Sequence, residues 1–410
     1  MKRPIMVLST SLWLLAVPLL APPSSFGAVS ISGYVKLDVQ YMDKVVGSGF
    51  PPGFGFPSSN PAFTPLDTNK EADNPQTILD ARESRIAVNY TDDVLGLKLS
   101  GLVEADFFDD TNAGNALTSN SRHFRFRHAF ARADHPAGWF LMAGQFWSIF
   151  MNNEVGRPLT VDFGGLAGQI FSRQPQIRAG WKMPLGSGMG NLLLEGGLEK
   201  QTVGGLLLAP GVQSNLGSPV VDERQGEGQT VPLFVGKVSW LHPIFQAEAA
   251  GAAGRNTVIL TGGKEERGTS WGFQASAQAL ILPVRLVAHY QIQEGLGRLL
   301  NPAEFPDAGL TPANTLENIG SEGFYVGAGF FLSPETSINA VYGWARADEE
   351  TSIGFTGGIL EKHQSLHVNI IHKFWKNWQT GLEYKRFDVE TFSGIEGDVN
   401  IVLGALWYFF

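Results

Sequence analysis

The sequence predicts an all-β protein, a transmembrane antiparallel β-barrel of about 16 strands. Three observations support this fold class. First, apolar and polar residues alternate along the chain with a period of two. Second, the segments with this pattern are connected by a short turn and a long loop alternately. Third, no apolar run after residue 28 approaches the roughly 20 residues that a spanning helix needs. The composition agrees, with 49 glycines, 11% aromatic residues and 17% charged residues.

Residues 1–28 have the features of a secretory signal peptide. Lys2 and Arg3 precede an apolar stretch, and "SSFGA" supplies small residues for cleavage. An uncleaved membrane anchor is the alternative, but Pro18 interrupts this short stretch. We therefore expect an exported chain whose barrel domain spans 29–410. The chain has no cysteine, which excludes disulfides, and its net charge of -9 disfavours nucleic acid as a partner.

The period of two is clearest at the start of the expected mature chain, in "VSISGYVKLDVQYM". Val35 and Leu37 fall on one face of this segment, and Lys36 and Asp38 fall on the other. A segment of this length crosses a bilayer at a tilt, which takes about 9–11 residues. Sixteen such segments start near residues 29, 78, 94, 122, 138, 173, 191, 230, 244, 270, 283, 322, 336, 363, 377 and 398.

The connections between these segments fall into two classes. One class is short and carries turn sequences such as "TDD", "DHPAG", "PLGSGMG", "SPE" and "WKN". The other class is long: 44–77, 109–121, 148–172, 202–229, 254–269, 294–321, 346–362 and 389–397. Alternation of this kind is typical of an outer-membrane barrel with short periplasmic turns and long extracellular loops. Tryptophans beside the short turns fit a membrane interface: Trp139, Trp240, Trp375 and Trp378.

Arginines are concentrated in alternate strands of the predicted barrel. In "RHFRFRHAFAR", Phe124, Phe126 and Phe130 are expected to face lipid, which turns Arg125 and Arg127 into the lumen. An arginine that faces lipid at the midplane costs about 2–4 kcal/mol, so the lumen is the expected place. The same phase argument places three more basic residues in the lumen: Arg85, Arg178 and Lys182.

Acidic residues close to these arginines leave two interpretations open. Glu83, Glu104 and Asp106 are candidate counter-charges. The basic residues either attract anions, which arginine binds through two parallel hydrogen bonds, or form a purely structural network with the acids. Arg82 falls in the outward phase of its strand and is expected above the membrane band.

The connection 148–172 is unusually apolar for an external loop. It contains Phe150 and Phe163 with Asp162 and several glycines, so we expect it to fold into the barrel and form a constriction. Packing against a neighbouring subunit is the alternative.

Metalloprotease and nucleotide-binding motifs are lacking in the sequence. It contains no H-E-x-x-H and no phosphate-binding loop, and no enzyme, cofactor or metal is expected. His363 and His367 share a strand face, which fits a wet barrel wall as well as a metal site.

The stretch "ARESRIAVNY…GLVEADFF…FRFRHAFARA…AGQFWSIFMNNEVGRPLTVDFGGLAGQIFSRQPQIR" resembles the DcaP-like porins of Gram-negative bacteria. The resemblance is specific over 81–182 and looser elsewhere. It implies a homotrimer of sixteen-stranded barrels for passive entry of small anions, notably dicarboxylates. It also implies a set of lumen arginines: Arg82, Arg85, Arg125, Arg127, Arg173 and Arg178. Some relatives carry a helical extension before the barrel, whereas here the first strand directly follows the signal peptide.

The sequence thus predicts an outer-membrane diffusion porin with a preference for small anionic solutes. A channel for uncharged solutes such as sugars and a structural or adhesive barrel with a plugged lumen are the alternatives. Outer-membrane lipid, lipopolysaccharide and the barrel-assembly machinery are expected partners. The closing "GALWYFF" places Tyr408 and Phe410 on one face, which is expected to contact lipid, and resembles the assembly signal of outer-membrane proteins generally.

Overall fold

The computed structural model describes residues 27–45, 64–108, 123–204, 206–208, 229, 231–260, 264–300, 305–353 and 359–410. The predicted signal peptide lies outside these residues apart from its last two positions, as do large parts of three predicted loops, 44–77, 109–121 and 202–229.

The described chain forms a closed antiparallel barrel of 16 strands, as predicted. The second strand, β2, is interrupted and consists of Gln76–Asp80 and Arg85–Val94. The others are β1 Ala28–Met42, β3 Leu97–Asp106, β4 Arg125–Asp134, β5 Trp139–Trp147, β6 Arg173–Pro184, β7 Asn191–Glu199, β8 Leu233–Leu241, β9 Phe245–Ile259, β10 Glu265–Ile281, β11 Val284–Glu294, β12 Gly320–Phe331, β13 Thr336–Ala347, β14 Leu360–Trp375, β15 Trp378–Thr391 and β16 Glu396–Phe409.

The barrel closes where β1 pairs with β16. Their register runs from Tyr34 opposite Phe409 to Met42 opposite Ile401. The backbone of Phe410 adds two hydrogen bonds with Gly33, of 3.1 and 3.2 Å, at the very end of the chain. On its other side β1 pairs with both parts of β2, so no free sheet edge remains at the seam.

The two faces of the barrel wall differ as the alternation predicts. In β1, Val35 and Leu37 are exposed on the outer face while Lys36 and Asp38 are buried on the inner face. In β16, Tyr408 and Phe410 are exposed, as predicted, and Trp407 is buried inside beneath the Lys36 ammonium at 4.9 Å. The outer surface is therefore apolar and the interior polar.

Short and long connections alternate around the barrel, with two differences from the prediction. Five residues join β9 to β10 and four join β15 to β16, because these strands continue into segments that we expected to be loops. The turn after β2 lies at Leu95 and Gly96, beyond the expected "TDD". Both turn residues have positive φ, 54° and 78°, which suits a tight two-residue hairpin turn.

A β-bulge in β4 makes one expectation wrong. The register of β3 and β4 shifts between Glu104 and Ala105, and Arg127 and His128 both point inward. The bulge reverses the phase of the residues that follow, so Phe130 faces the interior and packs against Phe146 rather than facing lipid.

Short elements lie in the long connections. Residues Leu207–Leu208, Ala308–Leu310 and Leu316–Asn318 form a small sheet, and Lys70–Ala72 and Gly297–Leu299 are single 3₁₀ turns. Within the described ranges, no helix is long and apolar enough to cross a membrane.

Candidate functional site

Residues 148–172, the connection between β5 and β6, lie inside the barrel. The first part packs against the inner faces of β8 and β9, where Ile149, Phe150 and Met151 join an apolar cluster with Val235 and Ala250. Phe150 is completely buried there, so it anchors the segment to the wall and does not line the lumen as the constriction prediction assumed.

Three wall glutamates hold this segment through its backbone. Glu199 accepts from the N–H of Ile149 at 2.6 Å, and Glu248 accepts from the N–H of Val155 at 3.2 Å. Further along, Glu383 on β15 accepts from Val161 in the same way. Hydrogen bonds from a neutral donor to a charged acceptor are stronger than neutral ones, so these contacts fix the path of the segment.

Two buried lysines complete the attachment. The Lys36 ammonium donates to the carbonyl oxygen of Val161 at 3.1 Å, and Lys385 pairs with Asp162. Asp162 is fully buried in this pair, so it holds the segment in place and is not exposed in the lumen. Glu83 pairs with Lys36 and is therefore not a counter-charge of the arginines.

The predicted acids Glu104 and Asp106 each contact lumen arginines. Arg125 donates two hydrogen bonds to Asp106, of 2.9 and 2.8 Å. Arg127, which is almost completely buried, donates to Glu104 and to Asp106 at 2.7 Å each. These two arginines are thus neutralised, while Arg85 is a looser partner of Glu104 at 3.7 Å.

Arg82 and Arg178 also have acidic partners inside the barrel. Residues 81–84 interrupt β2 and break its period, so the outward position expected for Arg82 is wrong. Its guanidinium pairs with Asp80 and lies 5.4 Å from the ring centre of Phe108. Arg178 pairs with Glu195 at 3.2 Å.

Arg157 and Arg173 form the part of the cluster that lacks acids. Neither has an ion-pair partner among the described residues, and one terminal nitrogen of Arg173 is buried without a hydrogen bond. Both guanidinium groups lie over the ring of Trp147, at 5.4 and 5.2 Å, and that of Arg127 lies 5.9 Å from the same ring. One indole therefore has three arginines around it.

The surroundings of Arg157 are unfavourable for its positive charge. Burial lowers the pKa of this side chain, and the like charges of Arg127 and Arg85 act in the same direction. Arginine keeps its proton in proteins even when its pKa is lowered, so the group stays charged. An anion beside it would relieve both the desolvation and the repulsion.

Phe163 is the predicted constriction residue that reaches open space. Its ring contacts Phe108 and Phe171, and it borders a cavity of about 300 Å³ together with Arg157, Thr160 and Gln169. Lys182 lies apart from this site, exposed near the end of β6 beside the turn at Gly138.

The histidines noted in the sequence belong to the wall. His367 is completely buried between Glu383 and the carbonyl oxygen of Gly165, and His363 is buried on the same face. Within the described residues no group of three His, Asp or Glu side chains is arranged to hold a metal ion.

The sequence reasoning missed several residues of the site. Arg157 is the single arginine of 148–172, which was a usable signal. The sequence contains no signal that assigns Trp147 to the site, since its position at a strand end suggests a residue of the membrane interface. The anchoring glutamates and Lys385 occupy inward strand positions, but only the folded path of the segment reveals their partners.

This site and fold define a sixteen-stranded barrel with an inserted loop and an arginine-lined interior, the architecture of outer-membrane channels. The structure is similar to the outer membrane channel DcaP of Acinetobacter baumannii, with a TM-score of 0.71 and 20% identity over 94% of this chain and 98% of that one. It also resembles OmpT of Vibrio cholerae in its trimer form (TM-score 0.56, 13% identity, 94% and 100% covered) and an anion-selective porin from Comamonas acidovorans (0.55, 14%, 94% and 100%). No family model and no curated protein matches the sequence.

Proposed function

We propose that this protein is an outer-membrane porin through which small hydrophilic solutes diffuse passively. The apolar outer face and the closed hydrogen-bonding of the wall meet the requirements of a bilayer. A barrel of sixteen strands is wide enough for a water-filled passage, even with one loop inserted. The short turns then lie at the periplasm and the long loops outside the cell.

The observation that carries a preference for anions is the pair Arg157 and Arg173 on the ring of Trp147. Two guanidinium groups without acids supply the positive field that the neutralised Arg125 and Arg127 do not. A small dicarboxylate has one carboxylate for each of the two guanidinium groups. We therefore infer that such solutes bind here weakly and transiently as they diffuse through the channel.

The narrow part of the passage is proposed to lie beside residues 157–169. Phe163, Thr160 and Gln169 border the cavity next to Arg157, so a solute passing the loop meets the arginine. Of the three predicted constriction residues, Phe163 is kept in this proposal, whereas Phe150 and Asp162 are anchors of the segment.

The alternatives are weaker on physical grounds. A sugar channel needs free aromatic faces, but guanidinium groups already lie over Trp147, Phe108 and Phe171. A plugged barrel would have no use for half-buried cations such as Arg157 and Arg173, which have no ion-pair partner among the described residues and whose desolvation costs free energy. An enzymatic role has no support in the site.

Reversal potentials across a planar bilayer in a potassium chloride gradient test the proposal. The wild-type channel is expected to be anion-selective, and Arg157→Gln combined with Arg173→Gln should remove most of that selectivity while conductance persists. Lys182→Gln is the matched control, since it removes a lumen-phase cation outside the cluster.

Each result bears on a separate claim. Lack of conductance in the wild type would refute the porin, and cation selectivity would refute the anion preference. Addition of succinate should reduce the chloride current in the wild type and not in the double variant. Equal effects of succinate and an uncharged sugar would favour the sugar channel.

We further propose that the barrel assembles as a homotrimer and contacts outer-membrane lipid, lipopolysaccharide and the barrel-assembly machinery. The trimer form of the similar OmpT structure supports the first of these. Crosslinking in intact cells followed by mass determination would test it.

A further inference from the structure

A shallow groove crosses the outer face of strands β7 to β10. Gly236 and Gly251 are cross-strand partners on its floor, and Gly196, the partner of Gly236 on the other side, continues this row of three glycines. The groove measures about 750 Å³. Larger apolar side chains form its edge towards the long loops: Leu198, Phe234 and Trp271.

Packing within the barrel does not explain these glycines. A Cβ atom on Gly236 would meet no heavy atom within 4 Å, and the nearest atom to one on Gly196 or Gly251 would be 3.9 Å away. None of the three has a positive φ. The wall would accept side chains here, so the missing side chains shape only the surface that faces the membrane.

Basic side chains lie on the same outer face, just beyond the groove on the long-loop side. Arg255 is opposite Thr269, and Arg267 is opposite Thr257, which makes the two arginines diagonal neighbours within reach of one another. Lys200, the residue after β7, is exposed two strands away, roughly 10 Å across the sheet.

The charge of this basic cluster, Lys200, Arg255 and Arg267, is incompletely balanced. Lys200 and Arg255 have no ion-pair partner among the described residues, and Arg267 pairs with Glu265. Glu294 lies at the far edge of the groove, where its carboxylate accepts a hydrogen bond from the Trp271 indole at 3.0 Å. Among the described residues, three cations therefore face two carboxylates, and the two cations without an ion pair there, Lys200 and Arg255, are on the β7–β9 side.

We propose that the groove and the basic cluster together bind a phosphate-bearing lipid of the outer leaflet, of the lipopolysaccharide class. The inference rests on the proposed placement in an outer membrane. Arginine binds phosphate through two parallel hydrogen bonds, and the apolar groove directly below accepts an acyl chain. The alternative occupant, a second copy of this protein, would have to place acidic side chains opposite Lys200 and Arg255. A lipid phosphate supplies the required negative charge by itself.

Native mass spectrometry of the purified mature protein tests this site, with diphosphoryl lipid A and its dephosphorylated form as probes. Arg255→Gln and Arg267→Gln should each lower retention of the diphosphoryl lipid about fivefold, the effect of one cation near an anionic surface. The dephosphorylated lipid should be retained poorly by every variant. Gly236→Leu, which fills the groove, should lower retention of the diphosphoryl lipid with all cations present.

Arg346→Gln is the matched control. Arg346 is exposed on the outer face at the same end of the barrel, but it lies on β13, which does not line the groove, and it pairs with Glu322 at 2.8 Å, so its loss should leave retention unchanged. Equal retention by the wild type, the arginine variants and Gly236→Leu would overturn the proposal. A variant that instead lowers the mass of the oligomer would overturn it too, by showing that another copy covers this face. Conductance of the same preparation reports separately on the porin.

Discussion

The carboxylate of Glu383 accepts a hydrogen bond from the backbone N–H of Val161 at 2.7 Å. Asn369 donates to the same oxygen at 3.0 Å, and Lys36 binds the carbonyl oxygen of Val161. Both polar groups of one loop residue are thus attached to charged groups of the wall.

Replacement of Glu383 by Ala should therefore loosen the inserted segment without opening the barrel. The buried N–H of Val161 loses its acceptor, at a cost of about 1–3 kcal/mol. We expect larger conductance fluctuations and faster proteolysis within 157–169, measured by single-channel recording and limited digestion. Glu390→Ala on the same strand is the control, because its pair with Lys362 is partly exposed and contributes about 1 kcal/mol or less. Quiet channels in Glu383→Ala would contradict the anchoring role.

Arg127 and Arg173 should respond to substitution in opposite ways. Arg127→Ser leaves buried Asp106 and half-buried Glu104 short of a partner, and breaking a buried pair costs about 3–5 kcal/mol, so the barrel should melt at a lower temperature. Arg173→Ser removes a cation that has no acidic partner among the described residues, so selectivity should fall while stability changes little. Melting followed by the heat-induced shift in gel mobility, together with reversal potentials, separates the two effects. Equal destabilisation would mean that Arg173 is also structural.

The sequence predicted correctly which wall face a residue occupies wherever the alternation along its own strand determines that face. The sixteen strands could be predicted from this alternation because every strand of the barrel places its apolar side chains on one face. Phe130 was misplaced because a bulge two residues earlier reverses that phase, and the sequence has no signal for the extra residue. The outward position predicted for Arg82 was wrong for a similar reason, since β2 is interrupted beside this residue.

Ionic partners were predictable only between adjacent strands. Arg125 and Asp106 are direct cross-strand neighbours, so their pairing followed from the predicted sheet. The pair of Asp162 with Lys385 joins residues that are far apart in the chain, and it depends on a loop path that hydrophobicity alone does not define. For this reason two of the three residues expected to form the constriction, Phe150 and Asp162, prove to be anchors of the segment, whereas Phe163 borders the cavity.

Trp147 is expected to support the anion preference through its ring. Three guanidinium groups surround the indole, and a cation over an aromatic face gains about 0.5–2 kcal/mol. Trp147→Leu should therefore let Arg157 and Arg173 move, and should weaken the block of chloride current by succinate about threefold to tenfold. Trp375→Leu is the control, because Trp375 is exposed on the outer surface beside a short turn. Identical block in both variants would show that the ring does not position the arginines.

The end of the chain allows backbone and side-chain contributions to assembly to be separated. Phe410 exchanges two backbone hydrogen bonds with Gly33 at the seam, while its ring is exposed on the outer face. Deletion of Phe410 removes both contributions, whereas Phe410→Ala keeps the seam bonds and removes the ring. If the ring is read during assembly, both variants should reach the outer membrane in reduced amount, and the protein that does arrive should conduct normally. If closure of the seam matters, the deletion alone should be impaired. Quantification of folded protein in outer-membrane fractions by gel mobility distinguishes these results, and normal levels of both variants would exclude an assembly role for Phe410.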